Sequence, residues 1–306
     1  MIEKIAVLFG GTSQERNISL LSGHNILNNL LKSKINAYPI DTKYFPINQL
    51  PNQGFKKAFI ALHGKEGENG IIQGVLTHLN IAYTGSKILS SAISIDKMKT
   101  KLLWHSINLP IIPYYFINIK QFKTMTAITL INNVSELKLP LIIKPNTEGS
   151  SIGISLIHSY DYLYNACTTA FRYDNDILIE KFIYGSEYSI GILEDEILPT
   201  IRICPSNIFY NYESKYTSKA TKYFCPSGLS NNKEIELKKI IRKAWNVLGC
   251  TGWGRIDLIM DNSQTFWLLE INTCPGMTKN SLIPIAAKYA KISFQKLVLK
   301  ILKSAN

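Results

Sequence analysis

Residues 253–281 read Trp-Gly-Arg-Ile-Asp-Leu-Ile-Met-Asp-Asn-Ser-Gln-Thr-Phe-Trp-Leu-Leu-Glu-Ile-Asn-Thr-Cys-Pro-Gly-Met-Thr-Lys-Asn-Ser. Arg255 to Met260 and Phe266 to Asn272 each mix apolar residues with spaced polar ones, the pattern of two strands. Side chains alternate along a strand, so Arg255 and Asp257 take one face and Ile256, Leu258 and Met260 the other. In the same way Glu270 and Asn272 share a face, opposite Trp267, Leu269 and Ile271. A four-residue hairpin loop from Asn262 to Thr265 would set Asp257 against Glu270 and Arg255 against Asn272. Two carboxylates, an amide oxygen and a guanidinium then gather on one patch flanked by apolar residues.

Crowded carboxylates repel unless a cation sits between them. Hard oxygen donors suit Mg²⁺, which takes one or two protein carboxylates and fills its remaining positions with water and substrate phosphates. Asp257, Glu270 and Asn272 are therefore candidate metal ligands, and Arg255 beside them suits a phosphoryl or acyl-phosphate oxyanion. The same patch fits a salt-bridged hairpin in which Arg255 neutralises both acids, and by itself it leaves the two readings open. The following Asn-Thr-Cys-Pro-Gly-Met-Thr run favours the first. A Pro-Gly turn straight after a strand, ending in Thr278 and Ser281, reads as a loop closing over an anionic ligand.

At 306 residues the chain can hold two or three domains and bury a sizeable core. Its formal charge is +12, from 34 basic and 22 acidic residues. The lysines are scattered rather than grouped in blocks or interleaved with aromatics, which favours small anionic ligands over nucleic acid. Ile, Lys and Asn recur throughout, as biased codon usage would produce. The five cysteines are odd in number and show no CxxC spacing, against a disulfide framework or zinc site and for a reducing compartment. No apolar run approaches the roughly 20 residues of a membrane span, and no signal peptide is legible at the N-terminus. The expectation is a soluble cytoplasmic protein.

Ile5 to Phe9 is a short apolar run ending in Gly10-Gly11-Thr12-Ser13, followed by a helical pattern from about Ile18 to Leu31. Strand, glycine loop and helix open an α/β domain. The loop fits neither GxGxxG nor GxxxxGK[ST]. Its Glu15 can cap the helix or bind a substrate ammonium. Phe59 to Leu62 reads as a second buried strand leading into His63 and a Gly-rich loop, at the strand end where open α/β sheets bind ligands. Tyr83-Thr84-Gly85-Ser86 closes this domain. Asp96 then begins a helix carrying Lys97, Lys99 and Lys101. Lys97, in the first turn, is the candidate phosphate ligand, and most of these lysines are expected to be solvated.

Leu141 to Lys144 is a strand, and residues 144–153 form a small-residue loop whose backbone N–H groups can cradle phosphates beside Lys144. Strand resumes at Ile154, so this is a hairpin flap. Gly149 to Gly153 also matches G-x-S-x-G, but a nucleophile elbow needs a helix after the Ser and a distant His. His158 is the only histidine downstream, and the hydrolase reading fails. Leu178 to Ile183 is another strand, in which Glu180 can accept from an adenine amino group, and Glu187 from ribose hydroxyls, though each reads equally well as a surface acid. Further strands run to Ile203. Residues 210–218, with Lys215 and Tyr216, read either as a lid over the site or as an ordinary exposed loop. Asn231 or Asn232 caps a helix with Leu237, Ile241, Ala244 and Trp245 on its apolar face, and a last helix starts at Ser293.

Taken together, residues 8–16, 61–64, 144–153, 215–216, 254–257 and 269–278 resemble the D-alanine–D-alanine ligases of the ATP-grasp superfamily, over essentially the whole chain. The resemblance implies an N-terminal open parallel α/β domain (1–90), a central ATP-grasp subdomain (91–184) and a C-terminal ATP-grasp and catalytic subdomain (185–306). It implies formation of D-alanyl-D-alanine from two D-alanines and ATP, through D-alanyl phosphate, for peptidoglycan synthesis. Lys97, Lys144 and Lys215 would hold phosphates. Glu180, Glu187 and the main chain at Lys181 and Ile183 would hold adenosine. Asp257, Glu270 and Asn272 would hold two Mg²⁺ ions, with Mn²⁺ as a substitute. Glu15, oriented through Ser150 and Tyr216, would bind the first ammonium, with His63 near the first carboxylate. Arg255 and the Gly276 N–H would stabilise the oxyanion, and Ser281 would take the second carboxylate. A homodimer is the family expectation. The rival readings are a ligase using D-lactate or D-serine and a non-catalytic nucleotide-binding relative, which would be expected to have lost a metal ligand or Arg255. Asn69, Phe182 and Cys274 depart from the common Asp, Trp and Ser, and Cys274 raises the expectation of thiol sensitivity.

Overall fold

The computed structural model describes residues 3–194, 196–204 and 221–305. Among these the strands assemble into three sheets. The first is parallel, built from β1 (Lys4–Phe9), β2 (Ala37–Asp41), β3 (Phe55–Ile60) and β4 (Ala82–Tyr83) in the order β2-β1-β3-β4. Ile5 to Phe9 is buried without alternation because β1 lies between two neighbours and apolar cover meets both its faces. Helix α1 (Arg16–Lys32) packs on it through Ile26, Leu27 and Leu30. The strand expected from Phe59 to Leu62 runs instead from Phe55 to Ile60, and its exposed Lys56 disguises the start. Leu62 remains buried beyond the strand end. Helices α2 (Ile71–His78) and α3 (Ile88–Ile95) complete this region.

Helix α4 (Lys97–Ser106) starts at Asp96, whose side chain accepts from the Lys99 N–H as an N-cap. Its Trp104 is fully buried against the third sheet, so the helix ties the middle of the chain to the later residues. The second sheet is antiparallel, with β5 (Tyr114–Asn118), β6 (Leu141–Pro145), β7 (Ser155–Ile157) and β8 (Asp176–Lys181) in the order β5-β8-β6-β7. Helices α5 (Ile119–Lys123), α6 (Ala127–Val134) and α7 (Leu163–Ala170) cover one face with Phe122, Leu130, Val134 and Leu163. The β6–β7 pair is the anticipated flap. A strand follows its loop, not a helix, which is the geometry a nucleophile elbow cannot have.

The third sheet contains β9 (Gly185–Leu193), β10 (Glu196–Ile197), β11 (Ile201–Cys204), β12 (Lys222–Phe224), β13 (Trp253–Asp261) and β14 (Phe266–Asn272). Its order is β12-β11-β9-β13-β14, with β10 pairing β9. Helix α8 (Asn231–Val247) buries Leu237, Ile241, Ala244 and Trp245 against it. Its cap is Ser230, whose hydroxyl accepts from the Lys233 N–H, and not Asn231 or Asn232, which lie inside the first turn.

Helices α9 (Leu282–Tyr289) and α10 (Phe294–Lys303) then return to the first sheet. Ile283, Leu297, Val298 and Ile301 share one apolar cluster with Ile5, Val7 and Phe59. Gln295 donates to Ser33, and Asn25 donates to the Met277 carbonyl, at 2.8 Å each. A parallel α/β sheet followed by two antiparallel β-rich units is the architecture anticipated, with the added feature that late helices close the early core.

Candidate active site

The β13–β14 hairpin carries the acidic patch. Asp257 pairs with Glu270 and Arg255 with Asn272, as expected, but next to the turn Met260 pairs with Phe266, so five residues rather than four separate the last pair. One correction concerns Leu269. The ladder shifts between Asp257 and Leu258, leaving Leu269 as an extra residue on β14. Phe266, Leu268 and Ile271 therefore enter the core, while Leu269 joins Glu270 on the functional face.

Asp257 is buried and heavily coordinated. Arg255 donates to it through Nε and Nη2 at 2.9 and 2.7 Å, and Ser189 on β9 donates through Oγ at 2.6 Å. Glu270 lies 3.7 Å from Lys97 Nζ. The salt-bridged arrangement left open by the sequence is thus present, with Lys97 as a second cation that the sequence did not pair with the patch. The donor set still suits a hard cation, because two carboxylates and an amide converge from paired strand positions. Among the described residues, no group of three or more His, Cys, Asp or Glu is gathered in metal-binding geometry. Asn272 is therefore needed to complete the set.

Two cavities meet at this patch. The first, about 750 Å³, is lined by Glu15, His63, Ser150, Arg255, Gly276 and Ser281 together with Asp257 and Glu270. The second, about 400 Å³, is lined by Lys97, Lys144, Glu180, Lys181, Ile183 and Glu187, again with Asp257 and Glu270. Every candidate residue among those described borders one of the two, Asn272 lining the first beside its strand partner Arg255. Lys215 and Tyr216, with the rest of the expected lid, lie outside the described residues.

In the first cavity Glu15 occupies the N-cap position of α1 without making a side-chain cap. Its carboxylate instead accepts from Ser150 Oγ, reaching across from the flap. Of the two uses left open for Glu15, capping is therefore not the one made, and the group faces the cavity. Gly10 and Gly11 make the loop geometry that allows this. Both adopt left-handed backbone, and a Cβ on Gly11 would stand 1.9 Å from Glu66. Ser150 and Ser151 also take left-handed φ, of 51° and 60°, so the flap turn is held in a conformation that non-glycine residues rarely adopt.

His63 is 4% exposed, with Nδ1 2.8 Å from the Cys274 carbonyl and Nε2 3.0 Å from Ser22 Oγ. Burial lowers its pKa against the opposing pull of Glu15, so it is a neutral imidazole bonded on both nitrogens. Its part in the site is to hold the 274–277 loop, on which Ser22 also binds the Met277 N–H. Ser281 stands at the N-cap position of α9 without a side-chain cap, its Oγ accepting instead from the Thr278 N–H at 2.9 Å, and the helix N-terminus beside it favours an anion.

Glu68 was not singled out by sequence, although it sits in the Gly-rich loop after β3. Its oxygens accept from the Cys274 and Gly64 N–H groups at 3.0 and 3.1 Å. Burial, then the nearby Glu15, push its carboxyl up to about 8.

The second cavity corrects the lysine reading. Lys99 is exposed, but Lys97 and Lys101 are buried. Lys101 Nζ lies 3.0 Å from one Glu180 oxygen and Lys144 Nζ 2.7 Å from the other. Burial opposes the charge on Glu180, yet Lys101 and Lys144 together hold its carboxyl below the ordinary range. The four-residue spacing from Lys97 to Lys101 puts both on one helix face, the signal that could have found it. Phe182 lies in the slot wall in T-shaped contact with Tyr184, centroids 4.8 Å apart, and Asn69 Oδ1 accepts from the Ile71 N–H at 3.1 Å. Cys274 is buried, its thiol pushed well above the ordinary value by burial and directed at the Ile60 carbonyl. Both features oppose the expected thiol sensitivity at this position.

Residues 4–49 match the family model described as D-ala D-ala ligase N-terminus, and residues 103–303 match D-ala D-ala ligase C-terminus. A D-alanine–D-alanine ligase of Buchnera aphidicola subsp. Baizongia pistaciae is 65% identical over 304 residues, covering 99% of this chain and 98% of the relative. Its counterpart in Buchnera aphidicola subsp. Schizaphis graminum is 55% identical, covering 99% of each. Among solved structures, a D-alanine–D-alanine ligase from Bacillus anthracis superposes with a TM-score of 0.87 at 30% identity, over 99% of this chain and 97% of that one. The VanG D-Ala:D-Ser ligase of Enterococcus faecalis gives 0.85 at 27% identity, over 99% of each. With matches to both halves of the family and a full-length relative at such identity, this chain belongs to the D-alanine–D-alanine ligase family.

Proposed function

We propose that the protein joins two D-alanines, coupled to ATP cleavage, by way of D-alanyl phosphate, and so supplies D-alanyl-D-alanine for peptidoglycan precursors. The observation that carries this reading is the shared wall. Asp257 and Glu270 border both the cavity holding Glu15, Ser150 and Arg255 and the slot holding Lys144 and Glu180. A carboxylate bound in one can therefore meet a terminal phosphate bound in the other.

In the slot, Glu180, Glu187 and the main chain at Lys181 and Ile183 hold adenosine, and Lys97 and Lys144 hold phosphates. Glu15 takes the ammonium of the first D-alanine, with His63 near its carboxylate. A carboxylate oxygen attacks the γ-phosphorus, and the bond to the ADP oxygen breaks. Such transfer is mostly positioning plus charge neutralisation. Mg²⁺ held by Asp257, Glu270 and Asn272 would, when bound, neutralise phosphate oxygens. The second D-alanine, its carboxylate at Ser281, attacks the acyl carbon as free amine. Arg255 and the Gly276 N–H stabilise the resulting oxyanion, whose collapse breaks the acyl C–O bond and releases phosphate, which carries off the proton lost by the attacking nitrogen. No covalent enzyme nucleophile is needed.

The domain limits 1–90, 91–184 and 185–306, a cytoplasmic location and a homodimer complete the proposal, with neither nucleic acid nor membrane as partner. No described helix is long and apolar enough to cross a membrane. Exposed Ile71 and Val75 on α2, with Ile88 and Leu89 on the adjoining α3, offer a second copy an apolar face. The test is phosphate release and dipeptide formation from Mg·ATP with D-alanine, against L-alanine, D-lactate and D-serine. Turnover with D-alanine supports the reading. Preference for D-lactate or D-serine as second substrate moves the chain to that class, and no release with any acceptor leaves a nucleotide-binding protein.

A further inference from the structure

We propose that Lys101, from behind the slot, is a positioning residue for nucleotide choice, fixing Glu180 in the slot wall as an ionised hydrogen-bond acceptor so that the site takes adenine and rejects guanine. The inference rests on the reading of the slot as the nucleotide site. Lys101 is 0% exposed and does not border the slot, whereas Lys144 does. One carboxylate thus stands between two buried ammonium groups, 3.0 Å from Lys101 and 2.7 Å from Lys144.

The two lysines differ in what they can do. Lys144 faces the slot and can turn to a phosphate. Lys101 is enclosed, with the Ile112 carbonyl 3.5 Å from its Nζ and the Tyr114 ring centroid 5.4 Å away. When Lys144 engages a nucleotide, Lys101 remains as the standing counter-ion of Glu180. A buried carboxylate without a partner takes up a proton. Protonation matters here because an ionised carboxylate only accepts, whereas a neutral carboxyl also donates. Adenine presents an amino donor at the position where guanine presents a carbonyl acceptor. An ionised Glu180 bonds the first and repels the second. Burial already lowers the Lys101 pKa, which Glu180 opposes, so the two groups depend on each other for their charges.

The experiment measures Mg·ATP and Mg·GTP binding calorimetrically, with steady-state kinetics, in the wild type, Lys101→Met, Glu180→Gln and the double variant. Lys101→Met should weaken ATP binding roughly tenfold to a hundredfold and reduce the preference for ATP over GTP by a similar factor. Turnover at saturating ATP should change far less, because the reacting atoms lie at Asp257 and Arg255. The double variant removes both buried charges together and guards against a folding failure of the single one. In the Glu180→Gln background, Lys101→Met should leave ATP affinity where Glu180→Gln alone puts it. An unchanged ATP-to-GTP ratio in folded Lys101→Met, or additive losses in the double variant, overturns the inference alone. A wild type that does not bind Mg·ATP overturns the nucleotide site, and this inference with it.

Discussion

Asp257 and Glu270 stand opposite each other on neighbouring antiparallel strands, and each is met by a different cation, Arg255 for the first and Lys97 for the second. Arg255 comes from the same strand, Lys97 from a helix more than a hundred and fifty residues earlier. The patch is therefore balanced by charges that arrive along independent routes, and the acids can be altered one at a time.

Glu270→Gln keeps the shape of the side chain and removes its charge. Phosphate release from Mg·ATP with D-alanine should fall at least about a hundredfold, while the far-ultraviolet spectrum and melting temperature stay close to wild type. Turnover near the wild-type rate would remove Glu270 from the metal set.

Glu68 gives a pH signature. Its carboxyl titrates near about 8 in the folded chain against an ordinary 4.5, so the native state keeps a proton that the unfolded state releases. Stability from this group is complete below the lower value and is lost as pH rises through the upper one. Melting temperature between about pH 5 and 8 should fall more steeply in the wild type than in Glu68→Gln. Parallel curves would show that Glu68 ionises normally.

Cys274 should resist alkylation in the native enzyme. Among the five cysteines, all free, Cys204 is the one not fully buried, and peptide mapping after brief iodoacetamide treatment should find it modified first. Rapid labelling of Cys274 would mean that the 274–277 loop opens readily.

Trp253 is 1% exposed and its ring lies 6.4 Å, centroid to centroid, from that of Phe59 on the first sheet. Trp253→Ala should destabilise the protein by about 3–5 kcal/mol in denaturant unfolding. A loss below about 1 kcal/mol would show that the two sheets do not share this contact as a core.

The shared face of Arg255, Asp257, Glu270 and Asn272 was legible from strand alternation, but the loop is one residue longer than expected and the bulge cancels the difference at Asp257. The Leu269 bulge was not legible, since one extra residue in a ladder leaves no mark in composition. Lys101 was hidden by its chemistry: a lysine-rich helix reads as solvated unless its buried carboxylate, 79 residues away in Glu180, is known. Ser230 lost to the adjacent asparagines as cap because all three are good capping residues. Helix α9 went unread, being short and carrying Pro284 near its start. Glu15 was found as a residue, but its hydrogen-bond partner, Ser150, lies 135 positions on and was legible only through the resemblance.

The closure of the first sheet by α9 and α10 bears on how the chain matures. Strands that leave the ribosome earliest have no complete cover until residues 282–303 have been made. The opening segment must wait, loosely collapsed, for the closing one, and chaperone engagement during synthesis should concentrate there.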